Sequence, residues 1–458
     1  MFPETFIKRL ETQGYIDSDP LLEAMGRPSP VSIRLNPLKW SRVPAGSDRV
    51  PWCSTGHYLT SRPSFTADPL FHSGCYYPQE ASGMFLEEIF NQCFSGRDHL
   101  RVLDLCGAPG SKSTHLSALL GSKGYLIANE VIRSRAAVLA ENITRWGIPN
   151  TLVTNNDPAG FSRLEGFFDL IVVDAPCSGE GMFRDPVARR EWSEKNAELC
   201  QRRQRRILSD VWPALKENGI LVYSTCTFNP AENEENIKWL TGNMQAENLR
   251  INISSFPEIT EINYEGITGY GFIPGRVKGD GFFVSVVRKN ESSGSLKIIK
   301  RKITKQVSKE EQKTAEELTG GVCGTILKTG DVLYHTPPEH DEYLTLSGLL
   351  RIVNPGTGLF RLVNGETLPE HSLGVSVLPG KNIYPVIELN YDQAVSYLKK
   401  ENVGIDARGK GWYIAAYRGC SLGFLKSTGT RFNNYLPVNL RIRMTGEALK
   451  EKQILEWY

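Results

Sequence analysis

The chain has 458 residues, too many for one ordinary core, and its 40% hydrophobic and 23% charged content fits folded globular protein rather than a disordered or fibrous chain. No apolar run approaches the roughly 18 residues that cross a bilayer, and charges in Met1-Phe-Pro-Glu-Thr-Phe-Ile-Lys-Arg-Leu10 occupy the place of a signal's apolar stretch, so a cytoplasmic protein with no membrane partner is expected. Nine scattered cysteines without a Cys-x-x-Cys pair argue against a disulfide framework or zinc ribbon, no metal is expected, and a net charge of +2 does not announce nucleic acid.

From about Arg101 to Arg288 strand and helix patterns alternate. Arg101-Val-Leu-Asp-Leu-Cys106 reads as a buried strand, followed by a glycine turn and a helix from about Lys112 to Leu120. Tyr125 to Glu130 is a second strand, Ser134 to Trp146 a second helix, and Thr151 to Thr154 a short third strand. Asp169 to Asp174 is a fourth strand, apolar through its middle as a strand covered on both faces would be. A long helix is predicted from about Glu194 to Leu215, with Leu199, Ile207, Leu208 and Val211 as its apolar stripe and Asn218-Gly219 as its stop. Gly219 to Thr225 is the fifth strand, and residues 267–288 read as a closing hairpin. The alternation predicts an α/β protein with a doubly wound, mainly parallel, Rossmann-like sheet.

After it, Asn290-Glu-Ser-Ser-Gly-Ser295 opens a linker with Lys297, Lys300, Arg301, Lys302, Lys305 and Lys309 in succession. A second basic cluster holds Arg189, Arg190, Arg202, Arg203, Arg205 and Arg206; either cluster suits a solvated face as well as RNA. Beyond residue 315 short β-like runs are punctuated by Gly and Pro, with helix expected only near Asp392–Lys400 and at the extreme C-terminus. The expected division is an N-terminal extension at 1–75, an α/β domain at 76–290 and a basic linker at 291–315. Two small β-rich domains are expected at 316–385 and 386–458.

Three cofactors compete for the turn Asp104-Leu-Cys-Gly-Ala-Pro-Gly-Ser-Lys112. It lacks the G-x-G-x-x-G of a dinucleotide site, and Cys106 and Ser111 stand where a P-loop needs glycine. S-adenosylmethionine uses the same strand–turn–helix geometry without a pyrophosphate to cradle. Gly107 and Gly110 would let backbone approach its amino-acid end. Glu130 could accept the ribose hydroxyls, and Asp157 lies where an adenine amino group would. Each acid taken singly is also an ordinary turn residue.

Two cysteines follow strand ends, Cys177 in Asp174-Ala-Pro-Cys-Ser-Gly179 and Cys226 in Tyr223-Ser-Thr-Cys-Thr227. Carbon 5 of a pyrimidine is a poor nucleophile until a thiolate adds to carbon 6. That scheme needs a nucleophilic Cys, an acid near ring nitrogen 3 and a second proton acceptor, and Cys226, Asp174 and Cys177 supply these types, with Lys112 close by. Cys53, Cys75, Cys93, Cys200, Cys323 and Cys420 read as small buried hydrophobes.

These motifs, with Ile33-Arg-Leu-Asn-Pro-Leu-Lys39, Gly74-Cys-Tyr-Tyr-Pro-Gln-Glu-Ala-Ser82 and Asp280-Gly-Phe-Phe-Val284, resemble the NSUN/Rsm family of RNA cytosine-5 methyltransferases over about residues 30–290. The resemblance implies a class I methyltransferase fold, Cys226 as nucleophile and Cys177 as the residue assisting product release. DNA cytosine-5 methyltransferases place their nucleophile in a Pro-Cys, so Cys177 stays open as the alternative. Cys106, Gly107, Ala108, Pro109, Gly110, Ser111, Lys112, Glu130, Arg135, Asp157 and Asp174 match the family's methyl-donor contacts. Gly107 replaces the usual Ala, and Ser111 a common Gly.

Trp412 to Lys426 and Arg431 to Pro437 are similar to the PUA-like tail of the RsmF branch. There Arg418, Lys426, Arg431, Arg441 and Arg443 interleave with Tyr413, Tyr417, Phe424, Phe432 and Tyr435, as RNA binding or a small β-barrel core would require. The resemblance implies 5-methylcytidine formation in 16S rRNA of the small ribosomal subunit near the decoding region, by a monomer. Transfer RNA is the alternative substrate, and an idle RNA-binding assembly factor the alternative class.

Overall fold

The computed structural model describes residues 2–292, 294, 307–363, 365–406, 409–444 and 453–458. The basic run from Lys297 to Lys305 and most of the expected C-terminal helix lie outside the described residues; Lys309 begins a helix, Lys309–Thr319, opened by a Ser308–Glu311 capping box.

Among the described residues, ten strands form the central sheet. Leu100–Asp104 lies between Gly124–Asn129 and Phe168–Asp174, all parallel; Thr151–Thr154 continues one side and Leu215–Thr225 the other. The strand order reverses at Leu100–Asp104, which puts the glycine turn at the switch-point crevice. The expected hairpin is part of an antiparallel edge of Thr260–Tyr264, Ile267–Phe272 and Phe282–Lys289, the last pairing with Leu215–Thr225. Two clusters of buried side chains cover the sheet's faces, one including Val102, Leu126, Leu170 and Val222, the other Leu103, Ile127, Ile171 and Leu221. Neighbouring residues of each strand thus enter opposite cores, which is why the strands read as unbroken apolar runs.

Two expectations fail around residue 215. The long helix is Glu194–Val211, because Pro213 cannot continue it; a 3-10 turn over Trp212–Ala214 leads straight into the strand at Leu215. Asn218-Gly219 does not stop a helix. It sits in a bulge of that strand, where Asn218 has φ +60° and the pairing skips from Phe168–Leu215 to Leu170–Ile220. Leu199 is exposed, and the buried stripe is Ala197, Cys200, Gln204, Ile207, Leu208 and Val211. Cys323 is exposed rather than buried.

The remaining segments wrap this core. An N-terminal pair of helices, Glu4–Glu11 and Ser18–Met25, precedes a four-stranded antiparallel sheet that ends with Tyr76–Pro78. Beyond residue 315, His340–Leu349 and His371–Val375 are helices the sequence did not reveal, and Ile352–Asn354 adds an edge strand to the central sheet through Thr151–Thr154. A last four-stranded sheet begins at Val386–Glu388. Ile33, Leu35, Trp40 and Tyr76 of the N-terminal part share one core with Ile387, Tyr397 and Leu425 of this last part. The two ends of the chain therefore fold against each other.

The N-terminal part also grips the central domain through Tyr15, whose Oη donates to Glu234 Oε1 at 3.1 Å, while Glu234 Oε2 is buried without a partner. Burial raises this carboxyl from 4.5 to about 7. The fold thus favours the neutral acid, and its contribution is complete at acidic pH and lost as pH rises through 7. Glu234→Gln is expected to remove that loss, gaining up to about 3 kcal/mol over the parent at alkaline pH and nothing near pH 4. Urea midpoints of both proteins across that range check it; a constant gap would reject the assignment.

Candidate active site

The glycine turn leaves Leu100–Asp104 and enters the helix Ser111–Leu120. Gly110 holds φ +121°, a conformation side chains rarely adopt, and a Cβ at Gly107 would lie 2.7 Å from Ser113 Oγ. Asp104 is fully buried; one oxygen accepts from Ser113 Oγ at 2.6 Å and the other has no partner. Burial raises it to about 7 and also pushes the Cys106 thiol up. Glu130, nearly buried at the end of the second strand, accepts from Ile132 N at 2.9 Å and lies 3.6 Å from Arg135, whose other arm donates to Ala108 O at 2.8 Å. Arg135 thereby links the expected ribose-side acid to the turn. Asp157 stands farther out, half-exposed, accepting from Ala159 N and 3.6 Å from Arg206.

An adenosyl group bearing a cationic amino acid fits this donor set. Glycines at 107 and 110 let the turn pack tightly on Ser113, Leu139 and Asn142, Glu130 offers a carboxylate to a diol, and the unpartnered Asp104 oxygen offers a buried acceptor.

Beside the turn, the two cysteines meet. Cys177 Sγ is 3.2 Å from Cys226 Sγ, and Cys226 N donates to Cys177 Sγ at 3.3 Å. The hydrogen bond to Cys226, then burial, holds the Cys177 thiol well above its ordinary range. Lys112 Nζ pairs with Asp174 Oδ2 at 2.9 Å, and Ser224 Oγ donates to Asp174 Oδ1 at 2.8 Å. Burial works against the Lys112 charge, but the attraction of Asp174 outweighs it and the ammonium is retained.

Sequence reasoning missed the residues that hold these loops. Glu180, fully buried, accepts from Arg9 at 2.5 Å, from Trp192 Nε1 at 3.1 Å and from Phe228 N at 3.2 Å. Gln13 Nε2 donates to Phe228 O at 3.1 Å, so the N-terminal helices reach both cysteine loops. Glu232, also buried, binds Ser178 and Gln204. A signal existed for Gln204, a polar residue at a core position of a helical stripe. Glu232 lies five residues beyond the Tyr223–Thr227 motif, and nothing in one sequence shows which acid turns inward.

Among the described residues, Cys53, Glu87 and His115 bring ligand-type atoms within 4.8 Å of one another behind the turn helix. Cys53 Sγ and His115 Nε2 each lie 3.2 Å from Glu87 Oε2, and Ser54 N donates to Glu87 Oε1. The fully buried Arg34 guanidinium balances the carboxylate charge, and the group reads as a hydrogen-bonded brace. On the last sheet Tyr417 and Phe424 are buried, while Arg418, Arg431, Arg441 and Arg443 are exposed; Lys426 pairs with Glu366. Tyr417 and Phe424 help build the core, Tyr413 and Phe432 are half-buried, and Tyr435 is exposed with the arginines.

The family model "16S rRNA methyltransferase RsmB/F" matches residues 92–288. The N-terminal domain of 16S rRNA methyltransferase RsmF matches 2–81, and the methyltransferase RsmF PUA domain matches 384–442. Ribosomal RNA small subunit methyltransferase F of Shewanella woodyi is 31% identical over 456 residues, covering 93% of each chain. Its counterpart in Aliivibrio fischeri is 30% identical over 477 residues, covering 96% of this chain and 97% of the relative. Among solved structures, a methyltransferase homologue from Pyrococcus horikoshii aligns with TM-score 0.51 and 28% identity over 63% of this chain and 99% of that one. NSun6 from the same organism, solved with SFG, aligns with TM-score 0.54 over 64% of this chain and 99% of that one; at 20% identity it speaks for the fold. Sequence likeness along nearly the whole chain, with a match at each of the three regions, establishes the kinship: the chain belongs to the RsmB/F family of 16S rRNA methyltransferases.

Proposed function

We propose that this RNA methyltransferase forms 5-methylcytidine in 16S rRNA near the decoding region, using S-adenosylmethionine and a covalent Cys226–cytosine adduct. The observation that carries the reading is the pair of thiols 3.2 Å apart, set beside the Lys112–Asp174 ion pair at neighbouring strand ends. The relatives' names support the 16S substrate, and the exposed arginines of the PUA region support RNA contact.

The target base is flipped out so that carbon 6 comes within reach of Cys226. Cys226 adds to carbon 6 as the thiolate, accepting the S–H of Cys177 until then. Asp174 holds the N3 and amino edge of the ring, and Lys112 supplies the proton that N3 takes up through it as the ring becomes electron-rich. Cys106 to Lys112, Glu130, Arg135, Asp157 and Asp174 would hold S-adenosylmethionine, which would supply the electrophilic methyl group for carbon 5. Cys177, once its own proton has left to solvent, removes the carbon 5 proton, and Cys226 departs as thiolate while N3 returns its proton through Asp174 to Lys112. Both cysteines then stand as they began. The segments at 1–75 and 386–458 take the RNA-binding roles, and the enzyme acts as a monomer.

Transfer of labelled methyl to 16S rRNA, assembled small subunits and bulk transfer RNA, with bisulfite mapping, tests this reading. Label at one ribosomal cytidine is the expected result. Label confined to transfer RNA overturns the substrate and keeps the chemistry. No label with measurable cofactor binding overturns the enzyme itself in favour of an idle RNA-binding factor.

A further inference from the structure

The thiol contact depends on two loops, since Cys177 and Cys226 both lie just beyond the ends of their strands, at Asp174 and Thr225. One fully buried carboxylate joins those loops. Glu232 Oε2 accepts from Ser178 N and from Gln204 Nε2, each at 2.9 Å. Its Oε1 accepts from Ser178 Oγ at 2.5 Å and Asn229 Nδ2 at 3.4 Å. Ser178 directly follows Cys177, and its Oγ lies 2.9 Å from Thr227 Oγ1, which directly follows Cys226. Gln204 Nε2 also donates to Pro176 O at 3.0 Å, so the residues on both sides of Cys177 are held. Glu232 itself is anchored, its carbonyl accepting from Tyr223 Oη at 2.6 Å and Asn236 Nδ2 at 3.0 Å.

Only a carboxylate satisfies this convergence, because four donors face its two oxygens. A glutamine would turn an N–H toward donors on one side and leave groups unpaired in a buried site. The titratable groups in its field are Cys177, Cys200, Tyr223 and Glu180; its charge adds to the preference of Cys177 for the protonated form.

We infer that Glu232 is a positioning residue that clamps the Cys177 loop onto the Cys226 turn and so sets the thiol contact used in product release. The inference rests on the roles proposed above for the two cysteines. It predicts a defect at one step, release of the product, rather than a general loss.

The test compares Glu232→Gln and Ser178→Ala with the parent, all as full chains. Cofactor affinity is expected to stay within about twofold, and single-turnover methyl transfer to fall less than steady-state turnover. Turnover in Glu232→Gln is expected to drop about 10- to 100-fold, the scale of misplacing a reacting group by an ångström. The RNA adduct should persist longer by a similar factor. Ser178→Ala, which keeps the carboxylate, should move the same way by a smaller factor.

A second readout needs no RNA. An aromatic disulfide reagent is attacked by one thiolate, releasing an aryl thiolate and leaving a mixed disulfide. The neighbouring thiolate then displaces the second aryl thiolate and closes a Cys177–Cys226 disulfide. Closure, followed by peptide mapping, is expected to be about tenfold slower in Glu232→Gln. Parental adduct lifetime and closure rate in both variants would overturn the clamp, as would equal losses of cofactor binding, transfer and turnover. Should the parent form no RNA adduct while closure still depends on Glu232, the functional reading fails and the clamp stands.

Discussion

Replacing Cys226 with alanine is expected to lower methyl transfer by about 10⁴-fold or more, the scale on which enzymes lose activity when the attacking atom itself is removed. In that variant Cys177 loses the hydrogen bond to Cys226, but burial still raises its thiol, and burial also holds Cys106 as a thiol. Cofactor binding should be unchanged, because Glu130 accepts from Ile132 N and Arg135 donates to Ala108 O of the turn, and neither bond involves Cys226. The Lys112–Asp174 pair should also persist, since Ser224 holds Asp174 independently. Radiolabel transfer and equilibrium binding of S-adenosylmethionine separate the two effects. A variant that binds cofactor and still methylates at more than a few per cent of the parental rate would remove Cys226 from the chemistry.

Replacing Cys177 with alanine should act in the opposite sense on the RNA complex. Cys226 can still add to carbon 6, and carbon 5 can still be methylated, but the group placed to remove the carbon 5 proton is gone. Loss of a positioned base costs about 10²- to 10⁴-fold in the step it serves, so the adduct accumulates and survives denaturing electrophoresis. Turnover falls while a single round of transfer persists. The alanine also removes the sulfur that accepts from Cys226 N at 3.3 Å, so Cys177→Ser is the necessary companion. A hydroxyl can keep that bond yet is a weak base, and it should trap RNA as the alanine does. If Cys177→Ala gives no adduct and Cys226→Ala gives one, the two roles are exchanged.

Much of the site was legible in the chain because its parts are local. A strand of apolar residues ending in Asp104, a glycine turn and a helix starting beside Lys112 can be read from thirteen or so successive positions, since backbone sterics make glycine nearly obligatory where φ is positive. Cys177 and Cys226 were legible as strand-end residues for the same reason. The misreadings near residue 215 were local too. Pro213 and Asn218-Gly219 are both breakers, and sequence periodicity alone could not say which ended the helix and which bent the strand.

Hydrophobic pattern, turn chemistry and motif spacing are short-range quantities, and they determined the α/β class, the order of the parallel strands' elements, the cofactor turn and the identity of the two thiols. The tertiary structure alone decided that those thiols touch, that Lys112 pairs with Asp174, and that Glu180 and Glu232 turn inward to hold the loops. It also decided that the first and last parts of the chain share a core, with Trp40 stacked edge-on against Trp457 at 5.3 Å. Each of these contacts joins residues from 48 to 417 positions apart. A buried acid or a shared core is favourable only once several distant donors or apolar faces arrive together, and that cooperative burial has no signature in any one stretch of sequence.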